Sequence, residues 1–125
     1  MIYTNNIQLV PVSTKREIQM GKYLVQANYV GDGVKGLLKD GGTGRRAAIE
    51  KLFASVGGKI ESLYYAFGST DLFIIADIPD NVTAAALSLT VNAVGAATAS
   101  VTVLLTPEEI DAASKKSPAY RAPGQ

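Results

Sequence analysis

The sequence predicts an α+β fold of ferredoxin-like type, βαββαβ, with a four-stranded antiparallel sheet. Three observations predict it. Residues 58–78 hold two strand-like runs around one break at residues 68–71, the pattern of a hairpin. Alternating runs at residues 23–30 and 98–105 supply a strand on either side. A helical pattern lies between the first strand and the hairpin, and another between the hairpin and the last strand. That order is the split β-α-β arrangement. Right-handed crossovers then place both helices on one face of the sheet and leave the other face open.

Each element has a local reason. In the first strand Tyr23, Val25, Ala27 and Tyr29 point one way, and Leu24, Gln26 and Asn28 the other. Gly31 and Gly33 break it, Val34 to Leu38 suits one helical turn, and Gly41-Gly42 interrupts again. Thr43 is the expected N-cap of the first helix. Ile49, Leu52, Phe53 and Val56 recur at i, i+3, i+4 and i+7, a stripe that packs on a sheet. Gly57-Gly58 supplies a left-handed stop. The second hairpin strand, residues 72–78, is apolar on both faces, which suits a central position. Asp80 is the expected cap of a helix over residues 81–94, ended by Gly95, with Val82, Ala86, Leu89 and Ala93 as its buried stripe. In the last strand Val101, Val103 and Leu105 share a face. Thr106-Pro107-Glu108-Glu109 reads as a capping box with proline at the first helical position.

Residues 20–116 form the expected domain. Residues 1–19 read as an N-terminal extension without periodicity, expected to be poorly ordered, and Met20 offers an internal start. Residues 117–125, rich in proline and glycine, read as an extended tail.

Composition excludes more than it includes. The chain carries no histidine and no cysteine. A Ser-His-Asp triad, a thiol nucleophile, a histidine- or thiolate-held metal and a disulfide framework are therefore ruled out within one chain. The lack of cysteine fits a cytoplasmic protein. A net charge of +1 leaves no electrostatic footprint for nucleic acid or an anionic membrane. No apolar run is long enough to span a bilayer. Gly41-Gly42-Thr43-Gly44 precedes a helix, but no P-loop lysine-hydroxyl pair follows and no parallel sheet surrounds it, so no nucleotide cofactor is expected. Asp77 and Asp80 flank Pro79, yet Asp80 is needed as a cap, so no metal site is expected there.

The chain over residues 22–109 resembles the GYD domain family. The resemblance rests on Tyr23-Leu24, Gly33-Val34, Arg45 or Arg46, and Gly57-Gly58-Lys59. It continues through Tyr64-Tyr65, Gly68, Asp71, Pro79-Asp80 and Leu105-Thr106-Pro107-Glu108-Glu109. Thr70 stands where the family's Gly-Tyr-Asp motif carries its tyrosine, so no role of that phenol carries over. The resemblance implies a dimeric α/β-barrel, typically bacterial, in a family of unassigned function.

The candidate ligand-binding residues are Asn28, Tyr64, Tyr65 and Asp71. Tyr64 and Tyr65 point to opposite faces of one strand, so one enters a cavity on the open sheet face and the other packs against the helices. Asn28 and Gln26 are polar groups on the open face. Asp71 at the hairpin mouth either orients a ligand or satisfies local N–H groups as an Asx turn. Arg45 and Arg46 sit near a helix start, where the dipole does not favour cations, and so are candidates for an anion or a partner. An apolar centre with polar flanks on the open face predicts a homodimer. The functional expectation is a small dimeric domain that binds a small, partly apolar molecule or serves as an accessory module, without a cofactor. The alternatives are a cofactor-free oxygenase, isomerase or decarboxylase, and a purely structural dimer.

Overall fold

The computed structural model describes residues 20–125, so the expected extension at residues 1–19 lies outside the described residues. In chain order the elements are β1 (Gly21–Tyr29), α1 (Asp32–Ala54), β2 (Lys59–Tyr65), β3 (Leu72–Ile78), α2 (Asn81–Val94), β4 (Ala97–Leu104) and α3 (Pro107–Ser114). The four strands form one sheet in the order β2-β3-β1-β4, antiparallel throughout. The α+β ferredoxin-like fold is thus present, with β3, apolar on both faces, in a central position.

Register decides which side chains meet. Val25 pairs with Ile74 on one side and Val101 on the other, and Ala27 with Leu72 and Ala99. Because strand side chains alternate, these residues with Tyr23, Ala76 and Ile78 share one face. That face is buried together with Ile49 and Phe53 from α1 and Ala84 and Leu87 from α2. Both helices therefore cover the same side. Leu24, Gln26, Asn28, Tyr64, Phe73 and Ile75 lie on the opposite, open face.

The caps follow local chemistry. The Asp80 side chain accepts from the Thr83 N–H at 2.8 Å and opens α2. Thr106 and Glu109 exchange the two bonds of a capping box at 3.1 and 2.8 Å. Gly57 and Gly95 take the left-handed φ expected after a helix.

Two expectations are corrected. The first helix begins at Asp32, not after Thr43. It is two helical segments joined at Gly41, whose φ of 75° and ψ of 167° only glycine adopts without strain. Val34 to Leu38 belong to its first segment, and Thr43 lies within the second. On α2 the buried residues are Ala84 and Leu87, whereas Val82 and Leu89 are exposed. The tail at residues 117–125 has no helix or strand and is largely exposed. It ends in a turn in which the Gln125 N–H donates to Ala122 O.

Candidate functional site

The sheet and the two helices do not fill the space between them completely. An apolar chamber of about 80 Å³ remains, walled by Val25, Ile49, Leu87 and Val101 among others. A groove of about 380 Å³ lies beside it, bounded by Gly33, Leu37, Asp40 and Val94 at the outer end. Tyr29, Arg45, Leu52, Val91 and Ala97 line both. These shared residues form the boundary, or neck, between the chamber and the groove.

Two polar groups stand at that neck. The Tyr29 hydroxyl is buried and has no hydrogen-bond partner among the described residues. Such a group carries an uncompensated desolvation cost. Arg45 is about two-thirds buried, and its ion-pair contact among the described residues is Asp40, at 3.9 Å, too long for a hydrogen bond. Arg46 instead faces outward and pairs with Glu50 at 3.4 Å.

Two of the sequence-derived candidates hold this neck in place. Tyr65 lies on the helix side, and its hydroxyl donates to Gly42 O at 2.9 Å. It pins α1 immediately after the Gly41 kink, less than one turn before Arg45. Burial, foremost, pushes the Tyr65 phenol above its ordinary pKa, so it stays protonated as a donor. Asp71 receives the backbone N–H of Tyr29 at 3.0 Å. Its own N–H donates to Asn28 Oδ1 at 2.9 Å and to Ala27 O at 3.1 Å, and its carbonyl accepts from Ala66 N–H. Its carboxylate serves a strand 42 residues away rather than its own turn.

Asn28 and Tyr64 lie on the other side of the sheet. Asn28, Gln26, Thr70, Thr98 and Ser100 line a shallow polar depression of about 210 Å³ on the open face. Tyr64 stands beside Phe73 there and is largely exposed. Tyr65 and Asp71 thus bond to the backbone beside the neck without lining the chamber or the groove, and Asn28 and Tyr64 lie on the opposite face, although Asn28 still reaches Asp71.

Sequence reasoning places Tyr29 on the apolar face of β1 and gives it no role. A signal is available there: a tyrosine at the end of an apolar stripe brings a hydroxyl that needs a partner. Arg45 and Arg46 share the expected position near a helix start, so the sequence does not tell them apart.

A ferredoxin-like α+β domain with an internal chamber under its helices is the class that fold and site define. The GYD domain family model matches residues 23–114, and the chain belongs to that family, whose function is unassigned. No curated protein and no solved structure matches it. No helix among the described residues is long and apolar enough to cross a membrane.

Proposed function

We propose that this domain is a small-molecule-binding module that works in the cytoplasm as a two-fold homodimer. One observation carries the binding reading: an apolar chamber borders a groove whose size is that of ordinary ligand pockets, and the polar residues Tyr29 and Arg45 line both. A purely structural dimer would need a filled interior. A cofactor-free enzyme of the oxygenase, isomerase or decarboxylase type would need a base at the chamber. Tyr65, a candidate phenol for that reading, lines neither the chamber nor the groove and donates its hydroxyl to Gly42 O.

The homodimer is supported by the open face. Leu24, Phe73 and Ile75 form its apolar centre, with Tyr64 exposed beside them and Gln26, Asn28, Ser100 and Thr102 on the flank. A second copy laid on this face buries the centre and keeps the rim polar. The accessory-module role is the same binding activity delivered to a larger assembly.

A thermal-shift screen of small aromatic and carbonyl compounds tests the binding reading. A concentration-dependent rise in melting temperature is expected for compounds with an apolar body. No rise with any compound overturns it. Sedimentation tests the dimer: twice the chain mass is expected for the native protein, and the mass of one chain for Phe73→Asp. A native protein that sediments as one chain sinks the dimer.

A further inference from the structure

We propose that Tyr29 and Arg45 bind the carboxylate of a small apolar monocarboxylic acid whose hydrocarbon end enters the chamber. This rests on the ligand-binding reading above and names its ligand class.

The neck offers donors. The Tyr29 hydroxyl is buried without a partner among the described residues, so a ligand reaches it by displacing the side chains around it. The guanidinium of Arg45 carries five N–H donors and meets Asp40 only at 3.9 Å. A carboxylate suits both, since it supplies two acceptor oxygens in the planar geometry that arginine matches. Beyond the neck the chamber is lined mainly by aliphatic and aromatic side chains, which reward a hydrocarbon. Its volume of about 80 Å³ suits a short alkyl group.

The groove's charges set the ligand's charge. Asp32 and Asp40 both line the outer groove. Asp32 is almost fully exposed and lies 3.8 Å from Lys35, so water screens it. Asp40 is half-exposed and close to Arg45. Asp40 beside Arg45 disfavours a doubly charged phosphate or sulfate ester and tolerates a single negative charge held on Arg45. A cationic ligand would meet Arg45 and the Tyr29 O–H, both donors, at the neck.

The site is also held in a way that a packing defect would not need. Asp71 fixes the Tyr29 backbone, and Tyr65 fixes the kinked helix that presents Arg45. Tyr29 and Arg45 are the binding residues; Asp71 and Tyr65 are positioning residues.

The test is calorimetric titration of the full-length protein with hexanoate, hexanamide, hexylamine and inorganic phosphate. Hexanoate is expected to bind at least tenfold more tightly than hexanamide, and hexylamine and phosphate not at all. Arg45→Gln is expected to weaken hexanoate at least tenfold and to abolish the preference for the acid over the amide. Tyr29→Phe is expected to weaken hexanoate severalfold without lowering the melting temperature, because the lost hydroxyl has no partner to leave behind. Equal binding of acid and amide, or an acid preference that survives in Arg45→Gln, overturns this inference while the ligand-binding reading stands. Failure of every compound, here and in the broader thermal-shift screen, overturns both.

Discussion

The backbone N–H of Tyr29 and the carboxylate of Asp71 are joined across the sheet by a 3.0 Å hydrogen bond, and Asp71 N–H returns one to Asn28 at 2.9 Å. The exchange ties the hairpin loop to the end of β1, where strand pairing between β1 and β3 stops at Ala27 and Leu72. The turn thereby sets the position of a residue at the neck of the chamber.

Removing that tie has a predictable cost. Asp71→Ala leaves a part-buried N–H without its charged acceptor, and bonds to charged groups contribute about 1.5–3 kcal/mol. Partial exposure places the expected loss near the lower end of that range. Asp71→Asn keeps an acceptor oxygen and is expected to lose less than half as much. Urea unfolding of the two variants measures both. An alanine variant as stable as the native protein would show that the tie contributes nothing.

A second prediction concerns the end wall of the groove. A Cβ added at Gly33 would lie 1.9 Å from Ala96 O, the carbonyl that also accepts from Val30 N–H. Gly33→Ala therefore forces the start of α1 away from the loop before β4, at a cost of about 1–3 kcal/mol. At Gly36, one turn later, nothing lies within 4 Å of the added carbon. Gly36→Ala is expected to stabilise by about 0.5–1 kcal/mol through helix propensity. Opposite signs at two glycines three residues apart, read from denaturation midpoints, check the packing of this corner.

The strands and caps were legible in the sequence because each is set by nearby residues. Residues 72–78 are apolar on both faces, and β3 is central; Asp80 and Thr106 precede their helices and cap them. The start of α1 was not legible. Six glycines from Gly31 to Gly44 oppose helix locally, yet the segment is helical on both sides of the kink, so tertiary context overrides propensity. The chamber was not legible either, because an unfilled space between a sheet and its helices leaves no mark on periodicity. Of the candidate residues, the pattern gave the opposite parity of Tyr64 and Tyr65 but not which of them faces the open side, and it put the cavity on that open side, whereas the apolar chamber lies under the helices. Arg45 and Arg46 stood out together as cations near an expected helix start, and the fold alone tells them apart, with Arg45 turned inward and Arg46 outward.

Acid should act on α2 through its cap. The hydrogen bond from Thr83 holds the Asp80 carboxyl below its ordinary pKa. A carboxylate depressed in the folded state contributes its stability fully above the unfolded-state value, about pH 4. That contribution is lost as pH falls from there through the folded value. Thermal unfolding of the native protein between about pH 6 and about pH 3 is expected to show this loss. Asp80→Asn, which keeps a capping oxygen without the proton linkage, is expected to show a shallower acid slope. Equal slopes would mean that other carboxylates control the acid limb.

The corrected face of α2 gives the last prediction. The helix is apolar on most sides, so a stripe through Val82, Ala86, Leu89 and Ala93 looks as suitable for burial as one through Ala84 and Leu87. Packing chose the second: Leu87 is 6% exposed and Leu89 71%. Truncating a buried leucine removes its transfer energy and enlarges the void around it. Leu87 already borders the chamber, so part of its surroundings is empty before the mutation. Leu87→Ala is therefore expected to cost about 2–3 kcal/mol, the low end for buried leucine. Leu89→Ala removes a side chain that is mostly in water and should change stability by no more than about 0.5 kcal/mol. Equilibrium denaturation of the two variants decides between the stripes, since burial of the Leu89 face would reverse their order.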